Sequence, residues 1–265
     1  MNTAATVPKP RPVAEPKRLH AVAIASGKGG VGKTWLAIAL AQALGKLGER
    51  VLLFDGDLGL ANVDIQLGLM PRCDLGAVVE QDRPVADAVT NYAIGGFDVI
   101  AGRAGTVALA ALAGDRLGRL LDQLFEVGAG YDRLILDLGA GIERTVRRLC
   151  RRADGCIVVT TDEPTALTDA YAFIKLGRTQ AGIADFRIVI NMAASIGEGE
   201  RTYGTLLRAC QSFLKFEPPL AGIVRRDARV KDSIRAQTPI GIRHPDSPAA
   251  TDVLALARKL KAARA

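Results

Sequence analysis

The sequence predicts an α/β protein: a mostly parallel, doubly wound sheet of about seven strands with helices on both faces. Three observations carry that reading. Short, unbroken apolar runs alternate with helical patterns from Leu19 onward, and strands buried on both faces read as such runs. A glycine-rich loop joins the first run directly to the first helix. Carboxylates or amides close several later runs, and in sheets of this kind ligands sit at the carboxyl ends of the strands.

The elements follow in order. The first strand is placed at 20–25, where Ala21-Val22-Ala23-Ile24-Ala25 is apolar throughout. A helix over 33–47 carries Leu36-Ala37-Ile38-Ala39-Leu40-Ala41. Val51-Leu52-Leu53-Phe54 gives the second strand, 51–54. A helical pattern at 74–90 precedes a strand at 97–101, and another at 106–127 precedes the strand 132–137. Helices at 143–153, 165–178 and 198–214 then alternate with strands at 156–161, 186–191 and 220–224, with Thr165 as an N-cap. Helices at 228–236 and 248–263 end the chain. Residues 1–18 contain Pro8, Pro10, Pro12 and Pro16 with few large apolar side chains; they read as a disordered basic tail, which leaves 19–265 as a single domain. No internal repeat is present, which excludes two fused copies.

At 265 residues the chain can bury one large core. Its net charge of +7 sits at the ends. Residues 1–18 contribute +3 and residues 225–265 contribute +6, against −2 for everything between. Basic ends suit an acidic partner, whether anionic lipid, nucleic acid or an acidic protein face, or else form a solvated surface. No apolar run approaches the length of a membrane span, and no signal peptide opens the chain. Cys73, Cys150, Cys156 and Cys210 form no Cys-x-x-Cys pair. A reduced, cytoplasmic setting is the expectation.

The chemistry begins at Ser26-Gly27-Lys28-Gly29-Gly30-Val31-Gly32-Lys33-Thr34, between the first strand and first helix. Strand, glycine loop and helix with Gly-Lys-Thr form a phosphate-binding loop. Its glycines let consecutive backbone N–H groups point at phosphate oxygens, and the helix N-terminus adds its positive end. Lys33 would reach the β- and γ-phosphates of a nucleotide, and the Thr34 hydroxyl would ligate Mg²⁺. The second strand ends in Asp55-Gly56-Asp57, a pair suited to a Mg²⁺-bound water and the attacking water, or to capping a turn. Leu134-Ile135-Leu136-Asp137 is a strand closed by a carboxylate that would hold the metal's water shell, and Gly139 and Gly141 follow as a flexible switch. Ile188-Val189-Ile190-Asn191 ends in an amide, which either reads a base or caps the strand.

Lys28, a second lysine straight after the first glycine, resembles the signature of the deviant Walker ATPases, the ParA/MinD group. In that family this lysine crosses a dimer interface and touches the partner's nucleotide. The resemblance therefore implies ATP and Mg²⁺ as cofactors and an ATP-dependent homodimer, with Lys28, Lys33 and Asp57 as catalytic groups. It also implies that Asp57 positions water, that Asn191 reads adenine, and that Glu163 of Thr160-Thr161-Asp162-Glu163-Pro164-Thr165 faces the partner subunit. Longer strings narrow the branch. Asp57-Leu58-Gly59-Leu60-Ala61-Asn62-Val63-Asp64, Asp137-Leu138-Gly139-Ala140-Gly141-Ile142, Glu163-Pro164-Thr165-Ala166-Leu167-Thr168-Asp169-Ala170-Tyr171-Ala172 and His244-Pro245-Asp246-Ser247-Pro248-Ala249-Ala250 are similar to the FlhG/FleN branch. That branch sets the number and placement of bacterial flagella, acting with the FlhF GTPase, flagellar switch proteins and, in some bacteria, a transcription regulator.

Departures from the branch are visible. Trp35 stands beside the α-phosphate position, where a small hydroxyl or amide residue is usual. Leu138 replaces a threonine, Val224-Arg225-Arg226-Asp227 lacks a proline, and no Asp-Gln-Ala motif opens the chain. Arg144, Arg147, Arg148, Arg151 and Arg152 crowd one helix and are expected to face solvent or an acidic partner. The last helix places Val253, Leu256, Ala257 and Leu260 on one face, with basic residues mostly on the other. It is expected to dock on the domain, with at most weak contact to an anionic membrane. Competing readings are a MinD-like or ParA-like regulator of division or DNA partition, an iron–sulfur protein and an inactive binding module. The Glu-Pro-Thr string argues against the first and makes DNA an unlikely partner. The cysteine spacing argues against the second, and the intact set Lys28, Lys33, Thr34, Asp57 and Asp137 against the third.

Overall fold

Strand β1 (Ala21–Ser26) lies mid-sheet, between β5 (Arg133–Ala140) and β6 (Gly155–Thr160), and aims the phosphate loop at the crevice above their ends. The computed structural model describes residues 21–102 and 114–262. The predicted tail at 1–18, and 106–113 of one predicted helix, lie outside them.

After β1 come α1 (Lys33–Lys46), β2 (Val51–Gly56), α2 (Val63–Leu67), α3 (Leu75–Glu80), a 3-10 turn (Val85–Ala88), β3 (Val89–Tyr92) and β4 (Phe97–Ile100). Next are α4 (Gly114–Gly128), β5, α5 (Arg144–Arg152), β6, α6 (Pro164–Ala181), β7 (Phe186–Ala193) and α7 (Ile196–Leu214). The chain ends with β8 (Leu220–Arg225), α8 (Ala228–Arg235), α9 (Ile240–Arg243) and α10 (Pro248–Ala262). The sheet order is β3-β4-β2-β5-β1-β6-β7-β8, parallel except for β3.

Among the described residues that sheet has eight strands rather than seven. The helix predicted at 74–90 stops at Glu80, because Asp82 takes a left-handed conformation and Pro84 cannot continue a helix. Val89-Thr90-Asn91-Tyr92 then folds back on β4 through a turn at Gly95–Gly96, with Tyr92 edge-on to Phe97 at 5.3 Å. The short helices α2 and α9 were also not anticipated. Thr165 is not the N-cap of α6: that place belongs to Glu163, and Pro164, with φ already fixed near the helical value, takes the first helical position.

Alternate residues of each strand feed two cores. Ala21, Ala23, Ala25, Leu52, Phe54, Leu134 and Leu136 face α3–α7. Val22, Ile24, Val51, Leu53 and Ile135 face α1, α2, α9 and α10. On this second side, the alanines of α1 meet Ala249, Ala250 and Ala257 of α10, and small side chains let the helices approach closely. Helix α10 is docked as expected, with Val253, Leu256, Ala257 and Leu260 all buried. Its start is capped by the buried Ser247, whose Oγ accepts the Ala250 N–H at 3.2 Å, and Asp252 holds Arg225 through two bonds of 2.8 Å. Arg133 is fully buried and bonds Glu49 at 3.0 and 3.1 Å; its guanidinium also reaches the Leu260 carbonyl at 3.5 Å. Breaking such a buried pair from one side costs about 3–5 kcal/mol, because a charge is left uncompensated.

Candidate nucleotide-binding site

The loop 26–34 is fixed from several sides. A Cβ on Gly27 would lie 2.1 Å from the Asp169 carbonyl oxygen, so α6 is packed against the loop as closely as backbone permits. Gly30 and Gly32 adopt left-handed φ of 80° and 87°, which glycine takes without steric cost. Ser26 Oγ donates to the Lys28 carbonyl at 2.6 Å, and the Gly141 N–H donates to the Ser26 carbonyl at 2.9 Å. The Asn191 amide, buried at the tip of β7, donates to the Val31 carbonyl at 2.8 Å. One of its two N–H groups thus holds the phosphate loop, a contact that neither reading of this residue in the sequence includes.

Parallel pairing of β2 with β5 sets Asp55 directly beside Asp137. Both are buried, and burial, the dominant cause, pushes Asp55 up to about 6 and Asp137 up to about 8. Their surroundings differ. Asp55 accepts backbone N–H groups from Asp57 at 3.2 Å and from Asn62 and Val63 at 3.0 Å each, so both its oxygens hold the segment after β2. The Thr34 hydroxyl favours the ionised form of Asp137, whose Oδ1 is buried with no partner among the described residues. The turn-capping alternative thus describes Asp55, while the open oxygen belongs to Asp137. Lys33 is buried nearby; desolvation lowers its pKa, opposed by the charges of Asp137 and Asp57.

Asp57 is half-buried, accepts the Leu60 N–H at 3.1 Å and faces Gly139 across the mouth of the site. Between them opens a cavity of about 640 Å³, bounded by Gly29–Trp35, Gly56–Leu60 and Gly139–Glu143. That volume is in the range of small-molecule sites, roughly 300–1,000 Å³. Trp35 lines it but is otherwise packed into the core beside α2 and α9, with its indole N–H unpartnered. Gln66, which the sequence did not single out, lines the same cavity with a buried, unpartnered Oε1. Leu138 is buried and serves packing.

Lys28 lies outside the cradle. Its Nζ is 2.7 Å from Glu163 Oε2 and 2.9 Å from Thr165 Oγ1 of the same chain, and hydrogen bonding to Lys28 lowers the Glu163 pKa. Neither residue's side chain is buried. The sequence order hides this contact, since 135 positions separate the two residues.

The donor set fits a hydrated Mg²⁺: one hydroxyl, one carboxylate with a free buried oxygen, and glycine-shaped room for phosphates. Magnesium keeps several waters and takes one or two carboxylates plus phosphate oxygens.

A family model described as the CobQ/CobB/MinD/ParA nucleotide binding domain matches residues 22–240. The chain is 35% identical to "Antiactivator FleN" of Pseudomonas aeruginosa over 242 residues, 91% of this chain and 86% of that protein. It is 31% identical to the "Flagellum site-determining protein YlxH" of Helicobacter pylori over 218 residues, 81% of this chain and 72% of that one. Among solved structures, the septum site-determining protein MinD of Pyrococcus horikoshii complexed with Mg-ADP superposes with a TM-score of 0.76 at 25% identity, covering 93% of this chain and 98% of that one. The phosphate loop, the paired strand-tip carboxylates and these similarities agree: the chain belongs to the MinD/ParA nucleotide-binding family, as an ATP- and Mg²⁺-dependent ATPase of the FleN/FlhG branch.

Proposed function

We propose that this ATPase is a dimerising switch that sets the number and placement of flagella. The observation that carries the switch is the position of Lys28. It sits on the phosphate loop but points its ammonium away from the cradle to an exposed carboxylate. Water screens an exposed ion pair, so Lys28 can leave Glu163 at little cost and reach a phosphate of a second copy. The flagellar role is supported by similarity to FleN and YlxH along most of the chain.

In this proposal the loop N–H groups and Lys33 bind the β- and γ-phosphates, and Trp35 flanks the α-phosphate. Thr34 and Asp137 hold Mg²⁺, which supplies charge neutralisation; Asp55 orders the segment that presents Asp57. Asp57 orients the attacking water opposite Gly139. Among the described residues no side chain stands out as a general base for the attacking water, so hydrolysis rests on positioning and electrostatics and is slow unless stimulated. Asn191 keeps its Oδ1 and second N–H for the adenine edge, and Glu163 meets the partner subunit once Lys28 has left it. Partners are a second copy, an FlhF-type GTPase and flagellar switch or regulatory proteins. Among the described residues no helix is long and apolar enough to cross a membrane. We place the protein in the cytoplasm, visiting the inner membrane or cell pole transiently.

Deleting the gene in the source organism and counting flagella tests this. A changed number or position, restored by the native chain but not by Lys33→Ala, is expected. An unchanged flagellar pattern would overturn the flagellar reading.

A further inference from the structure

We propose that the cleft between α4 and α5 is a docking site for a carboxylate-rich protein segment. The cleft has a volume of about 530 Å³, and Arg119, Arg148, Arg151 and Arg152 line it. Two of these arginines are already positioned. Arg148 donates to the Gly114 carbonyl at 2.8 Å. Arg152 donates to Asp122 at 2.6 Å and lies 4.9 Å above the Phe125 ring. Fixing a guanidinium before a ligand arrives reduces the entropy lost on binding. Arg119 and Arg151 are exposed, and no carboxylate pairs with either among the described residues. Five arginines fall within the nine residues of α5, and its first turn carries no acidic residue to offset them. Guanidinium groups crowded onto so short a helix oppose one another and are relieved by an anion, to which the unpaired ones can offer a bidentate fork.

The chemistry favours a protein over a nucleic acid. Asp115 also lines the cleft and would oppose an unbroken run of negative charge such as a phosphate backbone, whereas a peptide can set its carboxylates on the arginines and a basic residue against Asp115. Phe125 lies under Arg152, which already covers one face of its ring, and no aromatic side chain lines the cleft among the described residues. The site is separate from the nucleotide cavity: apart from α5, the two share no wall.

The test uses the full chain and a fluorescein-labelled peptide of glutamates interrupted by single lysines, followed by anisotropy at low and physiological salt. An oligothymidylate of equal charge is the competing probe. Arg119→Glu/Arg151→Glu is compared with Arg201→Glu/Arg208→Glu, an equal charge change at exposed positions on α7. The native chain should bind the peptide. The cleft variant should bind about tenfold more weakly or worse, and the α7 variant within about twofold of native, since only the former loses charge-assisted hydrogen bonds to the peptide carboxylates. Melting temperatures of both variants are measured in parallel; if the charge reversal lowers that of the cleft variant, Arg119→Gln/Arg151→Gln should give the same order. Equal weakening by the two variants would mean that only net charge matters, and would overturn the site. Absence of peptide binding, or tighter binding of the oligonucleotide, would overturn it as well.

Discussion

The two sides of the nucleotide cavity are built differently. The phosphate loop is held by α6 against Gly27, by Asn191 on Val31 and by Gly141 on Ser26. The opposite wall, Asp57–Leu60, hangs from Asp55 by three backbone bonds, and the side chain of Leu60 is 73% exposed. A Cβ on Gly59 would meet nothing within 4 Å, whereas one on Gly27 would overlap backbone. One wall is a fixed receptor. The other is free to change its contacts at low cost, which is what a segment that must respond to the terminal phosphate requires.

The largest effect expected from this contrast is at Gly27. Gly27→Ala should cost about 3 kcal/mol or more in urea unfolding and abolish ATP binding, because neither partner in the clash is a flexible side chain. If that variant folds and binds normally, the receptor wall is softer than its packing implies. Next in size, Lys33→Ala should weaken ATP binding by roughly a hundredfold, the loss expected for a charged phosphate contact, whereas Lys28→Ala should change it by less than about threefold. Equal losses in calorimetry would put Lys28 inside the cradle.

What the sequence revealed and what it hid divide along the same line. The phosphate loop and the strand tips Asp55, Asp137 and Asn191 are local patterns: an apolar run ended by a polar group is legible wherever it occurs. Their partners were not legible. Asn191 finds Val31 across 160 positions, and Lys28 finds Glu163 across 135. Asp55 spends its oxygens on backbone amides, which no residue pattern distinguishes from metal ligation. Strand β3 was missed because its stability comes from pairing with β4 rather than from its own four residues, and helical periodicity before Pro84 was carried too far.

A smaller effect separates Asp137 from its surroundings. Its pKa is raised in the fold, so the stability it allows is complete below the ordinary carboxylate range, near 4, and is lost as pH rises towards 8. Asp55, raised to about 6, acts in the same direction. Without nucleotide, the native chain should melt at lower temperature at pH 8 than at pH 5. Asp137→Asn should flatten that slope and melt higher at pH 8 while losing hydrolysis. A variant as pH-sensitive as the native chain would show that the slope arises elsewhere. The smallest effect belongs to the open wall: Gly59→Ala should alter stability by no more than about 0.5 kcal/mol in the same melts, and a larger loss would show hidden packing there.

The central claim is that ATP, held by the fixed wall, joins two copies through Lys28. The direct measurement is molar mass by light scattering after size exclusion, using Asp57→Ala with ATP and Mg²⁺. That variant keeps the residues proposed to contact phosphate but lacks the carboxylate proposed to orient water. The account predicts that its mass doubles from the 28.0 kDa of one chain with ATP, stays single with ADP, and stays single in Asp57→Ala/Lys28→Ala although ATP is still bound. An ATP-saturated Asp57→Ala protein that remains a single chain, or a double variant that dimerises as well, would contradict it.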